Sequence, residues 1–136
     1  MIIFLDANII IYQVEASPLF RDKVRSTISA LLGDSPGASF GASRLSFLEC
    51  LVKPLRERNA PLIERYRLFF TTDGLIISEI SPQVIERALL IRAETGLRTP
   101  DAIQAASALC LTQPVIFVTG DSAFAKIPSL SIRIIS

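Results

Sequence analysis

Histidine is missing altogether from the 136 residues. That one absence removes Ser-His-Asp and Cys-His nucleophilic catalysis, His-ligated zinc and imidazole general-base chemistry together. Cysteine is scarce. Cys50 and Cys110 stand in apolar contexts without CxxC spacing, so they read as reduced core residues and are too few for a cysteine zinc site. Net charge is only +1, so bulk charge draws no polyanion and any such contact must come from a local patch. Nothing at Met1-Ile-Ile-Phe-Leu5 reads as a secretion signal, because there is no basic lead and Asp6 interrupts the apolar run. Residues 102 to 120 carry no charge, but Gln104, Gln113 and Pro114 divide them into a helix and then a strand. The chain therefore reads as cytoplasmic and without a membrane span. Any chemistry it performs must use carboxylates, Lys, Tyr, Ser/Thr or metals that these hold.

Apolar residues, by contrast, are plentiful. Half the chain is hydrophobic and mean hydropathy is +0.47, so either a central sheet is covered on both faces or part of the surface is kept for a partner. The length suits a single domain over residues 1–136. Ile2–Leu5 is a short apolar strand ending at Asp6. Ser17 as N-cap with Pro18 after it opens a helix with Phe20, Val24, Ile28 and Leu31 on one face, ended by Gly33. Ser39–Ala42 is a weaker strand, and Arg44–Val52 a helix stopped by Pro54. A polar turn from Glu57 to Pro61 leads to a helix through Tyr66 and Phe70, and Leu75–Ile77 is a third strand. Ser81-Pro82 and Thr99-Pro100 each repeat the cap-plus-proline device, the first of these helices ending at Gly96. Val115–Val118 is the strongest strand; a helical turn over Ala123–Lys126 and a strand over Ser131–Ile135 follow. Strands that are apolar throughout, alternating with helices, predict an α/β fold: a three-layer α/β/α arrangement around a parallel sheet of about five strands.

In such sheets ligands bind at the carboxyl ends of the strands. Asp6 falls there directly, and Asp121 follows Val115–Val118 after Thr119 and Gly120. Asp101 lies in the first turn of its helix, where free N–H groups favour an ionised side chain. Glu49 is surrounded by Leu45, Phe47, Leu48, Cys50 and Leu51, so it occupies either a narrow exposed stripe or a polar cleft. Each acid also has a plainer explanation. Asp101 suits any helix start, Ser46 to Glu49 matches a capping box, and Gly120-Asp121 is an ordinary turn pair. Only Asp6 clearly exceeds its plain reading, because a carboxylate ending a buried strand is costly without a partner. Four converging carboxylates would repel one another, and a divalent cation resolves that conflict. All-oxygen ligands select Mg²⁺ or Mn²⁺ over zinc. The chemistry of such a site is phosphoryl displacement by metal-activated water.

These motifs together resemble the PIN-domain family, and within it the VapC-like toxins of toxin–antitoxin pairs. The resemblance rests on Phe4-Leu-Asp6-Ala-Asn8, on Glu49, on Leu97-Arg-Thr-Pro-Asp101-Ala-Ile-Gln-Ala-Ala106 and on Val118-Thr-Gly-Asp121-Ser-Ala-Phe124, in matching order over nearly the whole chain. It implies a Mg²⁺- or Mn²⁺-dependent endoribonuclease, homodimerisation, and inhibition by a small antitoxin protein. Asp6 and Asp101 would be the principal metal ligands, Glu49 and Asp121 would complete the cluster, and Asn8 and Thr119 would support it through hydrogen bonds. The chain departs from many members of the family at Ala7, at Gln104 where His is frequent, and near Ala123 where a further acid is frequent; the last bears on a second metal position.

Residues 44 to 67 hold six basic side chains against three acidic ones. Arg44, Lys53, Arg56 and Arg58 are candidate RNA-backbone contacts, though a solvated helical face would look the same. Tyr12, Tyr66 and Phe70 fit a core or dimer role better than base stacking. Alternatives to the toxin reading are a PIN nuclease of RNA processing and a module that binds RNA or protein without cleaving. A haloacid-dehalogenase-type phosphatase is disfavoured, because that chemistry needs a second acid at position 8, which is Asn.

Overall fold

The computed structural model describes residues 1–136. Five strands, β1 (Ile2–Leu5), β2 (Ser39–Ser43), β3 (Ile76–Ser78), β4 (Val115–Thr119) and β5 (Ile132–Ile134), form one sheet in the order β3-β2-β1-β4-β5. Every neighbouring pair is parallel, as the wholly apolar strands predict. Six helices link them: α1 (Ala7–Val14), α2 (Arg21–Asp34), α3 (Arg44–Arg56), α4 (Ala60–Phe70), α5 (Pro82–Thr95) and α6 (Thr99–Leu109).

Alternation along β1 divides the core. Ile3 and Leu5 join a cluster with Ile9, Val24, Leu31, Leu51, Tyr66 and Phe70 from α1 to α4. Phe4 points the other way and packs with Phe117, Phe124 and the alanines of α6. The alanines let α6 approach closely, and α5 covers it with Val84, Ala88 and Ile91. Both sheet faces are thus buried, and apolar surface is still left over. Leu48, Val52 and Leu55 lie exposed along α3, as do Ile85 and Leu89 on α5. No helix is long and apolar enough to cross a membrane.

Local chemistry departs from the sequence expectations at several points. A helix over residues 7–14 is absent from the sequence reading; Asp6 caps it, accepting from the Ala7 N–H. Ser17 does not cap α2: residues 18–20 form a turn on the Ser17 carbonyl, and the helix starts at Arg21. Nor does Gly33 end α2, which runs through Asp34. Pro54 lies inside α3 rather than stopping it, since a helix close to its last turn loses little by one missing N–H. Ser81 caps α5 as expected, accepting from Val84, and Gly96 closes it at φ 73°. At α6 the cap position is Arg98, not Thr99, with no side-chain bond. Both cysteines are free thiols. Tyr66 and Phe70 are core residues, and Tyr12 stacks on Phe20.

Candidate active site

Chain order reverses beside β1: the path runs outward through β2 and β3, then returns to β4 on the other side. The crevice at the carboxyl ends of β1 and β4 is therefore the topological switch point, where open parallel sheets bind ligands. Leu5 pairs with Val118, so the next residues, Asp6 and Thr119, stand side by side. The Asp6 N–H donates to the Val118 carbonyl at 3.0 Å.

Asp6 is 8% exposed. Its Oδ1 accepts from the Ala7 N–H at 2.8 Å and its Oδ2 from the Thr119 hydroxyl at 2.8 Å. Burial nevertheless pushes its pKa up to about 6; the two hydrogen bonds oppose the rise, and the charges of Glu49 and Asp101 add to it. The Thr119 Oγ1 also accepts from the Asp121 N–H at 3.0 Å. Asp121 in turn caps the short 3₁₀ turn Ser122–Lys126, accepting from the Ala123 N–H at 2.9 Å. Thr119 thus ties two of the acids to one hydroxyl.

Asp101 stands in the first turn of α6, its carboxylate one-fifth exposed and 3.4 Å from the Arg98 Nε. Glu49 is half-buried on α3. It does not close a capping box. Ser43 caps α3 through the Leu45 N–H, while Ser46 is fully buried and faces α6. There the Gln104 amide donates one hydrogen to the Ser46 Oγ at 2.8 Å and the other to the Glu49 Oε1 at 2.9 Å. Gln104 lies three residues after Asp101, on the same side of α6. Sequence reasoning did not give it a role, although a signal was there: a lone amide among the alanines of α6 is as misplaced as Glu49 among leucines.

Glu49 and Asp101 are close enough to Asp6 to act on it electrostatically, and the backbone N–H of Asp121 is bonded to the same Thr119 hydroxyl that donates to Asp6. No three acidic or thiol side chains are gathered tightly enough to hold a metal ion as they stand. Donor chemistry fits a hard divalent cation all the same. The acids offer oxygen alone, and the raised pKa of Asp6, due first to burial and then to the charges of Glu49 and Asp101, marks a carboxylate whose charge a cation would offset. Asn8 is exposed and its side chain bonds to no protein group. The candidate RNA contacts do not form one patch. Arg44 makes a two-pronged bond to Glu79 at 2.9 and 2.7 Å, whereas Lys53, Arg56 and Arg58 lie exposed at the far end of α3. A cavity of about 800 Å³ between α2, β2 and the end of α4 contains none of the four acids.

Comparison with known proteins places the fold. Among curated proteins no sequence matches significantly. Solved structures do. One is the VapBC2 structure from Rickettsia felis bound to a promoter DNA fragment (TM-score 0.79, 19% identity, 100% of both chains covered). Another is a toxin-antitoxin complex from Klebsiella pneumoniae (TM-score 0.74, 22% identity, 98% of both chains). A third is VapBC-1 from nontypeable Haemophilus influenzae (TM-score 0.74, 21% identity, 98% of both chains). The PIN domain profile matches residues 3–130, and the chain belongs to the PIN domain family.

Proposed function

We propose that this chain is a Mg²⁺- or Mn²⁺-dependent endoribonuclease, the cytoplasmic toxin of a VapBC-type pair held in check by a small antitoxin protein. The observation that supports the nuclease reading is a buried carboxylate, Asp6, at the switch-point rim within electrostatic reach of Glu49 and Asp101, with the Asp121 backbone held to the same Thr119 hydroxyl. The toxin reading draws on the three toxin–antitoxin complexes whose folds this chain shares. Exposed apolar stripes on α3 and α5 suit a homodimer or a bound antitoxin.

Asp6 and Asp101 would hold the ion, with Glu49 and Asp121 completing the set. Bound there, it would activate water towards an RNA phosphodiester and offset charge on the phosphate. The chain's own part is orientation. Thr119 points its hydroxyl at Asp6 and fixes the backbone of Asp121, while the start of α6, which no side chain caps, would offer its N–H groups to a phosphate at the rim. Lys53, Arg56 and Arg58 would meet the RNA backbone beyond the rim.

Cleavage of a structured RNA by the parent and by Asp6→Asn, with Mn²⁺ or EDTA, tests the reading. The parent should cut only with Mn²⁺, and Asp6→Asn should not cut although folded. Equal cleavage by both would overturn the site. Since no three acids stand ready to chelate, a non-cleaving binding module is the second reading. An RNA-binding parent that never cleaves under Mn²⁺ would favour it.

A further inference from the structure

Helix α6 carries its two interior polar side chains, Gln104 and Ser107, three residues apart. Both are fully buried, and both face the elements that bear Glu49. Ser107 donates to the Ile103 carbonyl at 2.7 Å, which leaves its oxygen to accept from the Ser43 hydroxyl at 2.9 Å. Ser78, on β3, donates to the Ser107 carbonyl at 2.8 Å. One turn nearer the rim, Gln104 spends both amide hydrogens on α3, one on Ser46 and one on Glu49. The result is a buried polar seam between α6 and the β2–α3 corner, with the Glu49 carboxylate at its open end.

We infer that Gln104 is a positioning residue: its amide holds the Glu49 carboxylate beside Asp101 and Asp6, so that the metal-binding rim depends on a group that itself touches no ion. Three observations carry this. The Gln104 amide is 1% exposed, so its hydrogens have no water to turn to. Its orientation is chemically determined, since the opposite rotamer would set the amide oxygen against a carboxylate. Finally, the Gln104 Oε1 is buried without any partner. An amide that leaves one end unsatisfied in order to keep both hydrogens on Ser46 and Glu49 is held there for those bonds. Buried groups that orient a ligand from behind are worth about 10- to 100-fold in metal affinity or activity. The inference rests on the nuclease reading and deepens it.

The test uses Gln104→Met, which keeps the shape and loses the donor, and Gln104→His, which can still donate an N–H. Mn²⁺ affinity is read by calorimetry, and kcat and KM are read on a structured RNA. Gln104→Met should weaken Mn²⁺ binding about 10-fold and lower kcat with KM unchanged, while Gln104→His stays near the parent. Because Gln104 acts through Glu49, Gln104→Met should cost no further affinity in a Glu49→Gln background. That cycle separates positioning from general damage to packing. Gln104→Met matching the parent, equal losses in both variants, or an undiminished loss in the Glu49→Gln background would each overturn the inference. A parent that binds no Mn²⁺ overturns the nuclease reading and this inference with it; in the other outcomes the parent's behaviour stands and only Gln104's role falls.

Discussion

Replacing Asp6 by asparagine should make the metal-free protein more stable at neutral pH while destroying its proposed activity. Burial and the charges of Glu49 and Asp101 raise the Asp6 pKa from 3.8 to about 6. A raised pKa means that the folded state binds the proton more tightly than the unfolded chain does. The stability it brings is complete below about pH 4, falls as pH rises, and is gone above the folded value near 6. At pH 7.5 the charged side chain therefore costs about 3 kcal/mol relative to its neutral form, from about 1.4 kcal/mol per unit. Asparagine removes that cost. Its oxygen can still accept from the Ala7 N–H, and its amide can donate to the Thr119 Oγ1. The rise to about 6 is already net of these two bonds, so the gain should approach about 3 kcal/mol, or about 9 °C in Tm for a chain of this size. The assay is thermal melting by circular dichroism in EDTA at pH 7.5 and pH 4.5. The gain should be present at the first pH and largely lost at the second. An Asp6→Asn protein no more stable than the parent at pH 7.5 would refute the claim that this carboxylate is held against its electrostatic preference.

Thr119→Val should be destabilising by roughly 1–3 kcal/mol, because it strips a donor from buried Asp6 and an acceptor from the Asp121 N–H; chemical denaturation reads this. Tyr66→Phe deletes the hydroxyl that donates to Glu15 and links α4 to the end of α1. With the ring otherwise wholly buried, the cost should be about 1 kcal/mol, with no change in Mn²⁺ affinity. Gly41→Ala would place a Cβ 2.9 Å from the Ile2 Cγ2 and 3.2 Å from the Phe4 Cδ2. Both neighbours are locked in the core, so a loss of about 1–3 kcal/mol is expected in the same denaturation assay. Arg44→Ala should cost at most about 1 kcal/mol, since its pair with Glu79 is exposed. A larger loss would mean that this pair pins α3 to β3.

The parallel sheet was legible because all four residues of β1 are buried on both faces, a pattern that only helix-covered strands show. Helix α5 was legible because Ser81, Pro82 and Gly96 each do locally what their chemistry favours. Helix α1 was not. Ile9, Ile10 and Ile11 are β-branched and follow a strand, so propensity argued against a helix that tertiary packing of Ile9 and Ile10 imposes. Ser17-Pro18 imitates a helix start, yet the real one lies three residues on, where Phe20 can reach Tyr12.

The site shows the same division between local and long-range information. Asp6 could be singled out from neighbours in the sequence alone, because its cost comes from the strand it ends. Glu49 could not, and its best local explanation was wrong: Ser46 is no cap, and the serine that does cap α3 is Ser43. The partner that gives Glu49 its place is 55 residues away on α6, at a distance where spacing rules carry nothing. What spacing does carry is the pairing of misplaced polar groups. Glu49 and Ser46 are anomalous on apolar α3, and Gln104 is anomalous on alanine-rich α6. Two helices in contact with unmatched polar residues can bury them cheaply only against each other. Residue order supplies the unmatched groups and the fold supplies the contact; together they join α3 to α6 and bring Gln104 to Glu49.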